Sequence, residues 1–492
     1  MNRLRFVGGI ALIAASAVGC GTAATSVERI PAEPTLIMFA DPAKVSGLTT
    51  RSRSQSVTGV RNVYIAYPEV ENAPALTRKL ERETTRQLDE FVAAVDSRSV
   101  KNQAADAQAP RPELNVDWQL TAASADITGV RLRTGVRLPT DFDGTTTWSD
   151  SLRTIWYDHT TGKAFDSPGL LDGDGALETL AAVVRTRLHD RDPDLNTEVV
   201  VADPALFDSM AFNPQGELVV EFDHHQVGPG SRGRIAVAVS DLQTGALLSP
   251  SGRRAQAAAM ATETPRPQAP RATSTAREQG AVQEQNQRGA QTCTQIKCIA
   301  LAFNDGPGPA TDEILDLLAE AEARATFFTV GSNVAAAPEA LLRMENEGHL
   351  VANHSWAHHD LSELSSSKAT DSLRRTQEII RSVTGQAPTL AAPPYGTWSE
   401  TLGRTASGLG LAMVTGDIDA MGGGNVVERV IGQARPGAIV MLRDGDPDAI
   451  KTVPEILKRL SAEGYTFVTV PELYGPAGMT AGRLHTSGPL TP

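Results

Sequence analysis

Residues 298–309 read Cys298-Ile299-Ala300-Leu301-Ala302-Phe303-Asn304-Asp305-Gly306-Pro307-Gly308-Pro309. An unbroken apolar run stops at two polar side chains and a Gly/Pro turn, as when a buried strand delivers polar groups at its carboxyl end. The pattern recurs. Short apolar runs at 325–330, 350–353, 389–392, 412–415, 438–442 and 466–470 alternate with helical segments at 312–322, 338–347, 369–383, 399–406, 426–434 and 449–463. In the first of these helices Ile314, Leu315, Leu317, Leu318 and Ala321 share one side. Thr311 and Asp448 stand as N-caps, and Gly348, Gly385 and Gly464 as helix stops. Short apolar strands separated by helices form a parallel sheet buried on both faces. The expected fold is α/β: a distorted seven-stranded (β/α) barrel with an incomplete wall over residues 293–476, preceded by a separate α+β domain. Such barrels carry their sites at the carboxyl ends of the strands, where the polar clusters fall.

After the third run comes His354-Ser355-Trp356-Ala357-His358, with two histidines four residues apart. If the segment is helical they lie on one face and can bind one ion. With Asp305 they form a two-His, one-carboxylate set that leaves metal positions open for water and substrate, as hydrolysis requires. A lone His-x-x-x-His arises by chance. Its combination with an aspartate at another strand end is far more specific.

In order and spacing these motifs resemble the NodB-type polysaccharide deacetylases, carbohydrate esterase family four. Their motifs run Thr-Phe-Asp-Asp-Gly-Pro, His-Ser/Thr-x-x-His, Arg-Pro-Pro-Tyr, an Asp motif with Trp, and Leu-x-His. The resemblance spans 293–475 and implies a divalent metal, zinc or similar, and removal of N-acetyl groups from a glycan such as peptidoglycan. It places Asp305, His354 and His358 as metal ligands, and the Tyr395 backbone N–H as the oxyanion donor in Pro393-Pro394-Tyr395-Gly396. Proton transfer is where the sequence departs. Asn304 replaces the aspartate base, Ala392 the arginine that holds it, and Arg443 the histidine acid. An amide cannot accept a proton at neutral pH, and a guanidinium is too weak an acid to give one. Asp417 and Asp419 keep carboxylates near the fourth motif, but Gly416 and Gly423 stand where tryptophans are usual. Trp356 and Trp398, with Pro394 as a further substrate-side position, could stack on sugar rings or pack at the rim. Three functions follow as expectations: a deacetylase with weakened catalysis, a noncatalytic glycan-binding or envelope-sensing protein, and an O-acetyl esterase, whose better leaving group needs less acid help. Asp444-Gly445-Asp446-Pro447-Asp448 imitates a calcium loop but has Ala449 where an EF-hand needs glycine.

The rest of the chain sets the context. Arg3 and Arg5 precede a short apolar run ending in small residues, as in a secretory signal. Ala17-Val18-Gly19-Cys20 resembles a bacterial lipobox, which makes Cys20 a lipidation site at the outer face of the cytoplasmic membrane; an ordinary cleaved signal is the alternative. Export makes a Cys293–Cys298 disulfide the expected state, with a metal site as the alternative. Residues 21–55 read as a tether and 477–492 as a tail. Residues 253–292 contain no Phe, Trp, Tyr, Leu or Ile, so they cannot offset the entropy of ordering and read as a linker. The α+β domain at 56–252 faintly resembles RsiV-type anti-sigma factor extracellular domains around 213–231, and implies an unidentified protein partner. The 492 residues carry a formal charge of −13, which disfavours nucleic acid or anionic lipid as partners. A lipid anchor is the only membrane contact expected. An N-acetylated cell-wall glycan is the expected substrate.

Overall fold

The computed structural model describes residues 36–57, 61–99, 111–139, 146–229, 233–261, 293, 295–421, 424–444, 447–475 and 478–489. The signal segment, Cys20 and most of the linker lie outside them. No helix among the described residues is long and apolar enough to cross a membrane.

The amino-terminal domain pairs two sheets. Strands β1 (Leu48–Val57), β2 (Arg61–Val70), β3 (Glu113–Ala123), β4 (Ile127–Pro139), β5 (Thr146–Asp158) and β6 (Lys163–Asp166) lie side by side in chain order. All neighbours are antiparallel except β2 and β3. That parallel pair needs a crossover, which the helix Pro74–Ser99 supplies. Leu76, Leu80, Leu88, Phe91 and Val95 recur at helical spacing and are buried with Val63, Ile65, Leu114 and Val116 of the sheet. A second, antiparallel sheet contains β7 (Met210–Phe212), β8 (Leu218–Phe222) and β9 (Ile235–Val239), and shares a core with the helices Asp174–Arg191 and Pro250–Met260.

Two expected boundaries move here. The tether assigned to 21–55 includes β1 and the buried Ile37, so the folded domain already includes residues from 36 onward. The linker assigned to 253–292 begins inside a helix whose Ala255, Ala258 and Ala259 are buried. Composition missed this because small alanines pack closely without the large apolar groups that mark a core.

The carboxyl-terminal domain is a curled parallel sheet clothed by helices. Its strands are β10 (Cys298–Asn304), β11 (Thr326–Thr329), β12 (Leu350–Asn353), β13 (Leu390–Ala391), β14 (Ala412–Val414), β15 (Ile418–Asp419), β16 (Ile439–Arg443), β17 (Thr466–Val468) and β18 (Leu484–His485). Along the sheet they run β15-β16-β10-β11-β12-β13-β14-β18, with β17 also on β10, and no described pair closes β15 onto β18. All seven expected strands form, and two two-residue strands join them. One of these, β18, lies in the expected tail; its pairing with β14 makes that segment part of the sheet. Every residue of β10 is buried. Ile299, Leu301 and Phe303 join one core, Ala300 and Ala302 the other. This two-sided burial is why the strand reads as continuously apolar.

Candidate metal centre

Asp305 leaves the end of β10 in left-handed backbone, φ 75°. His354 follows β12 directly, and its N–H donates to the Thr329 carbonyl of β11 at 2.9 Å. The segment carrying the two histidines is not helical. Ser355 (φ 67°) and His358 (φ 57°) are also left-handed. Asn353 Oδ1 accepts from the Ser355 N–H at 2.8 Å and Ser355 Oγ from the His358 N–H at 3.0 Å, so side chains take over the donors a helix would have used. The turn achieves what the helix was expected to do. One ligand atom from each of Asp305, His354 and His358 lies within 4.8 Å of the others, and the three residues are 1–3% exposed.

The cluster has the form of a site awaiting a cation. His354 Nδ1 donates to the Ala392 carbonyl at 2.8 Å, which turns its Nε2 toward Asp305 Oδ1 at 3.2 Å. His358 Nε2 lies 3.0 Å from the same oxygen. Burial pulls the His358 imidazole below its ordinary value against the pull of Asp305. Burial also opposes ionisation of Asp305, yet the two imidazoles hold its carboxyl well below the usual carboxylate range. A carboxylate and two ring nitrogens therefore converge on one point, and Asp305 Oδ2 and His358 Nδ1 are buried without hydrogen-bond partners. Two imidazoles and a carboxylate suit zinc or a similar ion.

The polysaccharide deacetylase family model matches residues 291–414. The chain is 40% identical over 181 residues to the peptidoglycan-N-acetylmuramic acid deacetylase PdaC of Bacillus subtilis, covering 36% of this chain and 38% of that protein. It is 33% identical over 199 residues to a chitooligosaccharide deacetylase of Bradyrhizobium, covering 36% of this chain and 91% of that one. The chain belongs to the polysaccharide deacetylase family. It spans about two fifths of the length of PdaC and of the Listeria monocytogenes deacetylase PgdA, 38% and 39%. The solved structure of PdaC aligns at 39% identity with TM-score 0.34, covering 36% of this chain and 89% of that one.

Around the ligands of the deacetylase domain, the positions expected for proton transfer are poorly supplied. Asn304 Nδ2 has the Met421 sulfur at 3.8 Å, and its Oδ1 has no partner. Ala392 is buried and contributes its carbonyl to His354. Arg443, at the end of β16, brings Nε to 3.5 Å from Asp305 Oδ2. Tyr395 stands edge-on to the His358 ring at 4.7 Å and has left-handed backbone, φ 59°.

Other expected site residues are engaged elsewhere. The Asp417 carboxylate pairs with Arg435 and accepts from the Ile439 N–H at 2.8 Å, at the amino end of β16, opposite the end that bears Arg443. Asp419 is exposed, and its carboxylate accepts from the Met421 N–H at 2.8 Å. The sequence motif placed both acids near the site, but Asp417 lies beside Ile439 and Asp419, on β15, beside Met441, so the two stand at different levels of the sheet. The Trp356 ring lies under the Arg375 guanidinium, 4.0 Å from its centroid, and a Cβ on Gly331 would meet it at 2.6 Å. Trp398 packs on Gly403, and Pro394 is buried. These three serve packing in the structure. Cys293 and Cys298 are joined by a disulfide.

Two contributors escaped the sequence. Asp444, the first residue of the stretch that imitates a calcium loop, is fully buried behind the Asp305 loop. It accepts from the Thr311 hydroxyl at 2.7 Å, and its backbone N–H donates to the Asn304 carbonyl at 2.8 Å. A Cβ on Gly306 would fall 1.7 Å from Asp444 Oδ2, so this turn requires glycine. Burial lifts the Asp444 carboxyl to about 7, against the Thr311 hydrogen bond and with the Asp305 charge nearby. An acidic residue directly after an apolar strand was the available signal. Asn333 gave none: from the helix Gly331–Ala336 its amide donates to the Asp305 carbonyl at 2.9 Å and to the Tyr64 hydroxyl, 269 residues away in sequence, at 3.4 Å.

Proposed function

We propose that the chain is an exported envelope protein, anchored through a lipidated Cys20 on the outer face of the cytoplasmic membrane. Its deacetylase domain removes N-acetyl groups from peptidoglycan or a similar cell-wall glycan, at a rate lowered by three substitutions. The reading is supported by relatives whose names specify peptidoglycan and chitooligosaccharide deacetylases. The observation that carries it is the convergence of Asp305, His354 and His358 with unsatisfied acceptor atoms.

A divalent cation held by these three residues would supply Lewis acidity toward an acetamide carbonyl and a water. The chain supplies the rest. In this reading the Tyr395 backbone N–H faces the developing oxyanion. Asn304 orients a water through hydrogen bonds but cannot take its proton. Arg443 adds positive charge beside Asp305 and cannot protonate a leaving amine. Each general acid or base typically contributes about 10²–10⁴-fold, so losing both bounds the deficit at roughly four to eight decades, less where their effects overlap.

The test uses the full exported chain loaded with zinc or cobalt, measuring acetate release from N-acetylated peptidoglycan, chitooligosaccharides and an O-acetylated glycan. Slow release from the N-acetyl substrates is expected. Asn304→Asp, Ala392→Arg and Arg443→His together should raise it. Turnover matching intact relatives refutes the impairment, and release from O-acetyl groups alone makes the chain an esterase. The contact of Arg443 with Asp305 favours a second reading, a noncatalytic glycan-binding protein, which predicts glycan binding with no acetate release from any substrate.

A further inference from the structure

The two ligand imidazoles are held in place by different means. His354 is oriented in the usual way, by a hydrogen bond from its second nitrogen to a backbone carbonyl. His358 has no such bond: its Nδ1 is buried without a partner. Its ring is held by aromatic contacts, and the closest comes from the other domain. Tyr64, on β2, lies flat against it with centroids 4.4 Å apart and planes within 16°. The Tyr64 hydroxyl accepts from Asn333 Nδ2 at 3.4 Å, the same amide that donates to the Asp305 carbonyl. Tyr64 thus touches one ligand directly and another through a single amide.

Strand β3 of the same domain clamps the loop around His358. Asn115 Nδ2 donates to the Ala357 carbonyl at 2.8 Å. Glu113 accepts from the Asp360 N–H at 3.2 Å and from Arg137 at 2.5 Å, while Arg137 also reaches Glu363 at 3.4 Å. Val330 and Ala336 of the deacetylase domain are buried in the core of the amino-terminal domain. The contact is a packed interface, not a chance touch of one side chain.

We propose that Tyr64 is a positioning residue of the metal centre, so that docking of the amino-terminal domain and cation binding are coupled. The inference rests on the functional reading only in requiring that the cluster take a divalent cation. Coupling is reciprocal: the factor by which docking of the amino-terminal domain tightens the cation is the factor by which the cation tightens docking.

The probe is Co²⁺ on the full exported chain, read by competition with a chelator and by its visible absorption. Tyr64→Leu, which fills the space without a planar face, should weaken Co²⁺ roughly 10–100-fold, the range for partners that orient a ligand, and shift the absorption bands. Tyr64→Phe keeps the ring and should stay within a few-fold of wild type. Wild-type affinity and spectrum in Tyr64→Leu overturn the proposal while leaving the functional reading intact. A wild-type chain that takes up no Co²⁺ overturns both. A second measurement needs no variant: Co²⁺ should slow amide hydrogen exchange in residues 61–70 and 113–123 of wild type. Unchanged exchange there, with Co²⁺ bound, also overturns the coupling.

Discussion

Two buried polar clusters, one in each domain, are built to opposite ends. In the amino-terminal domain Arg131 of β4 is gripped by both oxygens of Glu221 on β8, each at 2.8 Å, and so joins the two sheets. Gln119 accepts from the same guanidinium, and the Ser209 hydroxyl donates to Glu221 at 2.9 Å. Donors meet acceptors and the charges cancel. In the deacetylase domain Asp305, His354 and His358 are equally buried, with one ligand atom of each within 4.8 Å of the others and with Asp305 Oδ2 lacking a hydrogen-bond partner. A buried cluster that closes on itself holds a fold together; one built of a carboxylate and two imidazoles is suited to hold a cation.

Matched charge removals test this contrast most directly. Asp305→Asn should lower affinity for Zn²⁺ or Co²⁺ by about a thousandfold or more, since one anionic ligand out of three is lost. Without metal the same variant should lose less stability than Glu221→Gln, because the new amide can still hydrogen-bond the imidazole nitrogens although the stabilisation of the Asp305 anion is gone. Its left-handed backbone also suits asparagine. Chelator competition and urea unfolding measure the two halves; metal affinity that survives would dissolve the distinction between the clusters.

Glu221→Gln should do the reverse. It strands Arg131 as an uncompensated buried charge and should cost about 3–5 kcal/mol in urea unfolding. Metal affinity of the folded variant should not change. A loss below about 1 kcal/mol would mean that the closed cluster contributes little to joining the sheets.

Asp444 sharpens the comparison from the side of pH. Its folded carboxyl keeps a proton up to about pH 7, whereas the unfolded one releases it near the ordinary value of 3.8. Between these values the unfolded state binds fewer protons, so stability falls as pH rises. At about 1.36 kcal/mol per unit, wild type should lose roughly 3 kcal/mol relative to Asp444→Asn between pH 4.5 and 7. Urea midpoints of the two proteins at those pH values check it. Parallel curves would show that Asp444 is ionised in the fold.

Much of this was open to inspection in one dimension. The seven expected strands of the deacetylase domain form because two-sided burial leaves an unmistakable apolar run. Asp305, His354 and His358 stood out because each interrupts or follows such a run. The same logic failed where side chains are small or elements short. The buried alanines of Pro250–Met260 looked like linker, and the two residues of β18 looked like tail. Trp356 and Trp398 were left open by the sequence: an aromatic near a motif can be core or contact surface, and their contacts with Gly331, Arg375 and Gly403 come from the structure.

Periodicity and chemistry along the chain therefore determined the βα alternation and the three metal-ligand candidates, since those depend on residue type and local spacing; the base and acid positions were open only to the family resemblance. Tertiary structure alone decided that His354 and His358 converge through left-handed turns, that Asp417 pairs with Arg435 away from the ligands, and that Tyr64 lies on His358. Those outcomes depend on which distant surfaces meet, and Val63-Tyr64-Ile65 reads as an ordinary strand until the partner 294 positions away in the numbering is in contact with it.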